Sequence, residues 1–459
     1  MTRPAVVSLF RAPWRVCVSL FVMMLSAVPS SAHASLLADR LEISMYGRMG
    51  LAWTPTSGRF IMGRSMNLTG SSIGGRFEEG DYLEPTIRLH ILEKKEGPEA
   101  PYVDMVMTPA MFASNGLFAG IFSTRFSDPL SIELFQAYVE SGNVLLPGLR
   151  VWGGARFYRG TDVHIADYYY FNNLSGQGGG VAYGPLDLAV LMQTSRTSPQ
   201  YNFDVDGNGS SDLRRQRSVF VAQYVHKLEG GHSFHGLAEF HLLPGARMNL
   251  ADGTQVGFRS DHGWVAGVKA HLDLGNGSFN DVSVRYGSRI ANGGRGGGQS
   301  WDTVGLPDLR GLYTDAASVS AVDHFLYNFG SAFSLNAYGI LHWAQGASDT
   351  AADKSLDFAV GARGTVYLHD NIHLVGEATY QGLMSRGETP MATATKLTIA
   401  PTFVPVSGRS VWTRPHFRIF YTAAFYDEDA VAALSAPYLQ TVGPSSMAHY
   451  LGARAEWWF

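Results

Sequence analysis

The chain has 459 residues, a formal net charge of −4 at pH 7 and a pI near 6.4. With no basic block anywhere, that balance argues against a nucleic-acid partner. Charged residues are only 16%, aromatics 12% and glycines number 52, a composition that favours many strands over helices.

Basic residues Arg3, Arg11 and Arg15, the apolar run Val16 to Val28 and then Ala32-His33-Ala34 read as a secretory signal peptide cut after Ala34. Residues 1–34 are therefore expected to be removed, leaving one domain over residues 35–459. The single cysteine, Cys17, falls inside that peptide. The exported chain then has neither thiols nor disulfides. Beyond it, no run approaches the ~20 apolar residues of a spanning helix. A membrane location would demand a closed barrel.

Arg150 to Phe171, RVWGGARFYRGTDVHIADYYYF, is the most informative stretch. Its first half alternates as a strand, with Val151, Gly153, Ala155 and Phe157 opposed to Trp152, Gly154, Arg156 and Tyr158. From Asp162 to Tyr170 it is too polar for a core strand and too aromatic for a solvated loop. It suits the wall of a wet cavity, with Asp162, His164, Asp167 and Tyr169 facing water and their aromatic neighbours anchoring the loop. Zinc at His164 with Asp162 and Asp167 is set aside, because carboxylate-rich pores are the commoner explanation.

Thr194 to Asp212 reads as a polar external loop. Within it Asp204, Asp206, Asn208 and Asp212 have the spacing of a calcium loop, although Arg215 stands where the distal glutamate belongs. This makes a structural calcium ion the only metal candidate, against a plain turn. Otherwise the sequence calls for no cofactor.

Dyad alternation then recurs. Phe234, Gly236, Ala238, Phe240 and Leu242 oppose Ser233, His235, Glu239 and His241, with Leu237 the exception. Ala291 to Trp301 reads as a glycine-rich external loop unable to hold structure alone. Phe358, Val360, Ala362, Val366 and Leu368 oppose Arg363, Thr365 and Tyr367, and a break at His369 to Asn371 leads into Ile372 to Tyr380 as a hairpin would. Over Trp412 to Phe425, Phe417, Ile419, Tyr421, Ala423 and Phe425 oppose Trp412, Arg414, His416 and Arg418. At the end, Leu451, Ala453, Ala455, Trp457 and Phe459 oppose Tyr450, Gly452, Arg454, Glu456 and Trp458. A row of arginines opposite an apolar row is costly unless it meets solvent. A barrel with an aqueous lumen meets that condition. Strand plus connection takes roughly 24 residues, which gives roughly 16 to 18 strands, the size of a porin.

Several landmarks resemble one family in the same order: YGRMGLAW at Tyr46 to Trp53, RFEEGDYLE at Arg76 to Glu84, WGGARFYRGTDVHIADYYYFNNLS at Trp152 to Ser175, VWTRP at Val411 to Pro415, and the terminal GARAEWWF. The chain is similar to the maltoporin family of oligosaccharide-selective outer-membrane porins, which includes the sucrose porins. Asn202 to Ala400 aligns poorly. The resemblance implies an all-β transmembrane antiparallel barrel of about 18 strands, an inward-folded third loop constricting the pore, a homotrimer, and a place among the lipids of the bacterial outer membrane. It also implies an aromatic column including Tyr46, Tyr82, Trp412 and Trp458, and a polar track including Arg48, Arg76, Glu84, Asp162, His164 and Asp167, with Tyr169 narrowing the pore. Strand parity agrees for Trp412 and Trp458, which fall on polar faces. The family's mid-pore aromatic corresponds to Val282, an aromatic lent by a neighbouring subunit to Phe126, and two constriction arginines to Gly160, beside Arg159, and Phe135. These departures bear on which sugar passes.

Three other readings compete. A general diffusion porin would carry opposed charge rows without an aromatic column. A barrel enzyme would need a Ser/His constellation, and no compact motif pairs those residues. An adhesive barrel would have a plugged lumen.

Overall fold

The computed structural model describes residues 40–459 apart from 56–65, 93–96, 98, 114–129, 194–201, 204–212, 250–252, 350–352, 386 and 388. The signal-peptide reading, the calcium loop of Asp204, Asp206, Asn208 and Asp212, and Phe126 all lie outside those residues. Alternating apolar and polar side chains build eighteen barrel strands, numbered here in chain order. They are β1 Leu41–Trp53, β2 Tyr82–His90, β3 Tyr102–Ala113, β4 Leu130–Gly142, β5 Arg150–Arg159, β6 Asn173–Tyr183, β7 Leu186–Gln193, β8 Arg217–Lys227 and β9 Ser233–Leu243. There follow β10 Asp261–Gly275, β11 Ser278–Arg289, β12 Ala317–Phe329, β13 Phe333–Gln345, β14 Lys354–His369, β15 Ile372–Met384, β16 Ala392–Phe403, β17 His416–Tyr426 and β18 Met447–Trp458.

Each strand is antiparallel to the next, and β18 returns to β1 with Tyr46 opposite Trp458, closing the sheet. Closure leaves no edge to satisfy in lipid. Among the described residues no helix is long and apolar enough to cross a membrane. The crossing is made by strands.

The two faces of the sheet are inverted relative to a soluble protein. Leu51, Val268 and Ile419 point outward and are largely exposed, whereas Glu239, His241, Lys269, Arg454 and Glu456 point inward and are buried. Long connections gather at one end and short ones, such as residues 184–185, 276–277 and 370–371, at the other. The short-turn end is the periplasmic one in such barrels.

The inward polar groups hold folded-in loops. On β16, Lys396 Nζ donates to Asn67 Oδ1 at 2.7 Å and pairs with Glu78, stapling the first loop to the wall. Breaking a buried pair by removing one partner typically costs about 3–5 kcal/mol. Lys396→Met should therefore lower the thermal unfolding temperature and open the first loop to protease while strand content by circular dichroism is unchanged.

The structure corrects three sequence expectations. β17 begins at His416, not Trp412, since Pro415 has no N–H to give the ladder. Trp412 and Arg414 lie in the connection from β16. Val282 faces outward on β11, so it cannot stand for a pore aromatic; Phe279 is the aromatic on the inward face of that strand, 5.1 Å from the His324 ring. Residues 291–301 are not a free external loop. Arg285 donates to Gly293 O at 3.0 Å and Ser300 O at 3.1 Å, Arg217 donates to Trp301 O, and the Trp301 ring is buried.

Candidate functional site: the pore lining

The third loop, between β5 and β6, shapes the site. Asp162–Val163 pairs with Tyr168–Tyr169, and one 3-10 turn, His164–Ala166, joins them. Asp167 closes the turn at φ 49°, a left-handed conformation that aspartate tolerates. That short hairpin sorts its side chains. Val163, Ile165, Ala166, Tyr168, Tyr170 and Phe171 are buried in one cluster with Leu237 of β9, Val265 of β10, Val322 of β12 and Ile340 of β13. Leu237, the apolar exception on an otherwise polar inward face, is thus the seat of the loop. Fully burying each such side chain stabilises by roughly 1.5–3 kcal/mol. Gly267 is required there, because a Cβ would stand 2.9 Å from the Phe171 ring.

Polar ties complete the seat. Tyr170 Oη donates to Asp281 Oδ2 at 2.9 Å, Lys269 Nζ to Thr161 Oγ1 at 2.7 Å, and Arg76 Nη1 to His164 O at 3.2 Å. Burial pushes the Tyr170 hydroxyl up, and the Asp281 carboxylate adds to the rise, so this donor keeps its proton.

The opposite face of the loop meets β1 and β2. A single cavity of about 880 Å³ takes in Tyr46, Arg48, Arg76, Tyr82, Glu84, Asp162, His164, Asp167 and Tyr169, together with Phe157 and Arg159. Trp412 lies on the other side of His164, their ring centroids 5.7 Å apart, and Trp458 sits 5.6 Å from the same imidazole. Nine of the eleven residues singled out in the sequence thus line one cavity, and the other two, Trp412 and Trp458, flank the His164 ring at its side.

The rings are carried on successive strands. Trp458 is opposite Tyr46, whose ring centroid is 6.0 Å from Tyr82, and Tyr82 stacks at 6.5 Å on Phe112 of β3. Guanidiniums press on this column: Arg414 lies 3.9 Å over Trp458 and Arg48 4.9 Å over Tyr82. Tyr46 Oη is saturated, accepting from Arg76 at 2.8 Å and Arg48 at 3.1 Å and donating to Glu456 at 3.2 Å. Its ring, not its hydroxyl, is what it can offer a ligand. Tyr82 Oη likewise donates to Glu84.

Across the cavity, Asp162 Oδ2 lies 3.5 Å from His164 Nδ1. Burial works against the charge on Asp162, but the His164 hydrogen bond and Arg76 outweigh it and hold the carboxyl below its ordinary value. Arg76 is opposed by burial in the same way, yet Glu79, Tyr46 and Asp167 raise it well above the ordinary arginine value. Arg76, on the first loop, bonds to its neighbour Glu79 at 2.9 Å, to Tyr46 of β1 and to the third-loop backbone, so it joins both loops to the wall and has little left for a ligand. Where Gly160 lacks a side chain, Arg159 reaches the cavity, its guanidinium 3.7 Å over Phe157 and 4.7 Å over Tyr169. Phe135 packs against Phe157 with centroids 5.5 Å apart.

Sequence reasoning missed Phe112 and the roles of Arg414 and Glu456. A parity count along β3 would have put Phe112 on the face of Asp104 and Thr108. Arg414 and Glu456 were placed on polar faces, but their pairing joins a turn to the last strand.

A family model described as LamB porin matches residues 41–459. The chain belongs to the LamB porin family. It is accordingly a bacterial outer-membrane porin, a β-barrel channel. Solved barrels that it resembles distantly include OccAB1 of Acinetobacter baumannii, at 11% identity and TM-score 0.45 over 91% of this chain and 96% of that one. Others are OpdL of Pseudomonas aeruginosa, at 10% and 0.43 over 92% and 99%, and the trimer form of OmpT, an outer membrane protein of Vibrio cholerae, at 9% and 0.41 over 92% and 100%. Likenesses this remote add nothing to the LamB porin assignment.

Proposed function

We propose that this LamB-family porin carries linear oligosaccharides of the maltodextrin kind by facilitated passive diffusion, as a homotrimer. The observation that supports the reading best is the run of rings from Trp458 through Tyr46 and Tyr82 to Phe112, borne on adjacent strands, with Trp412 of the β16–β17 connection joined to it across the His164 ring and with Tyr46 and Tyr82 lining a cavity shared with carboxylates and guanidiniums. A pyranose has an apolar C–H face that lies on an aromatic ring and a rim of hydroxyls that bond to charged groups at the side. Each ring contact contributes about 0.5–1.5 kcal/mol beyond area burial. A file of such weak sites lets a chain exchange one contact for the next without a deep trap. No covalent bond changes.

The mixed charges of Arg48, Arg159, Glu84, Asp162 and Asp167 favour a second reading, general diffusion of small hydrophilic solutes. Single-channel current in a planar bilayer, with maltodextrins and sucrose titrated in, separates the two. Oligosaccharide selectivity expects saturable block that tightens from disaccharide to longer chains; an open current that no sugar reduces leaves general diffusion. Cross-linking of the detergent-solubilised protein should give a three-chain product if the trimer forms.

A further inference from the structure

Toward the periplasmic end, below His164, lies a smaller cavity whose charged lining is wholly basic. Arg363, Arg414 and Arg418 line it with His373, His416 and His164, and the Trp412 indole is part of the same lining. No carboxylate lines it, and those nearby are already paired: Glu456 with Arg418 and 3.5 Å from Arg414, Glu377 2.6 Å from Arg363, and Asp162 3.5 Å from His164 Nδ1.

The cluster is also short of acceptors. His416 Nε2 is 3.2 Å from Arg414 Nη1 and its Nδ1 is 3.5 Å from Arg418 Nη2. A neutral imidazole has one acceptor nitrogen, so one of these contacts sets N–H against N–H. Nε of Arg414 and Nε of Arg418, which can only donate, are buried without a hydrogen-bond partner. The Arg414 side chain is only 4% exposed and that of Arg418 10%. Unmet buried donors beside like charges are costly, and an anionic oxygen would satisfy several at once. The free space at the centre is about 30 Å³, room for about two water-sized oxygens, as in a carboxylate.

We propose that this cavity is a subsite for the carboxylate of an acidic sugar ring seated at Trp412, so that the pore prefers acidic to neutral oligosaccharides. The proposal rests on the oligosaccharide reading and narrows its substrate class. The indole holds the ring while the guanidiniums meet its charge. Neutral sugars use the column alone.

The test is current block by trigalacturonate against maltotriose in planar bilayers at fixed ionic strength. The wild-type pore should bind the acidic trimer about tenfold or more tighter, the worth of one hydrogen bond to a charged group. His416→Glu places a carboxylate between the two arginines and should cut the acidic-to-neutral ratio by about tenfold. Arg414→Gln, which removes a charge, should lower the same ratio and serves if His416→Glu does not assemble. Equal block by the two sugars overturns this proposal and leaves the oligosaccharide reading standing, while block by neither overturns both. Acetate blocking as well as trigalacturonate would overturn the sugar-borne form in favour of a site for any free carboxylate.

Discussion

Replacing Trp412 by alanine should weaken maltodextrin block by roughly tenfold while the open current in plain salt does not fall, given about 0.5–1.5 kcal/mol for ring contact plus the apolar area of the indole. The indole is 41% exposed and sits in a connection rather than on a strand, so its loss leaves the ladder intact. Its neighbour Trp458 is a poorer test, because Arg414 rests on its face and Glu456 sits two residues away in the ion-pair cluster. Off-rates from current fluctuations should carry most of the change, since removing a contact shortens the dwell more than it slows entry. Wild-type dwell times in the variant would mean that sugar does not pass over this ring, and that Trp412 serves the periplasmic rim instead.

Much of the barrel was legible because its signal is local. A period of two in hydrophobicity marks each stave, and in β18 or β9 every second residue is apolar for physical reasons that need no tertiary context. The inward face of β9 even advertised its exception, Leu237, although nothing in the sequence says that Phe171 lies in the cluster it joins. The third loop was legible as a composition too polar for a core and too aromatic for water. What stayed hidden depends on long-range pairing. Lys396 with Glu78, Arg285 with the carbonyls of Gly293 and Ser300, and Arg414 with Glu456 are each specified by barrel closure and loop folding, which no window of sequence contains. The start of β17 was misjudged for a simpler reason. Alternation continues through Trp412 and Arg414, but Pro415 cannot donate to the ladder, and a missing hydrogen-bond donor overrides a hydrophobic pattern.

Tyr170→Ala should release the third loop. The ring is 3% exposed, and truncating a buried aromatic side chain costs about 3–5 kcal/mol. The same change removes the hydroxyl that donates to Asp281. Asp281 keeps its other partner, His271 Nδ1 at 2.6 Å, so the barrel wall itself is not left with an orphaned charge. The loss therefore falls on the seat of the loop. A cost of about 3 kcal/mol raises the detached fraction by about two orders of magnitude. The remaining seat, the buried Val163, Ile165, Tyr168 and Phe171 with the ties from Lys269 to Thr161 and Arg76 to His164, then holds His164 and Asp162 against β1 for less of the time. Salt conductance should rise and become noisy, and sugar block should weaken because one wall of the cavity has left. Tyr183→Ala is the control: that ring is 59% exposed on the outer face and holds no loop. Heat-dependent gel mobility would verify that both barrels are folded. If Tyr170→Ala conducts as the wild type does while folded, the third loop is not what narrows this pore, and the constriction must be sought in the first loop, which Lys396 staples to the wall.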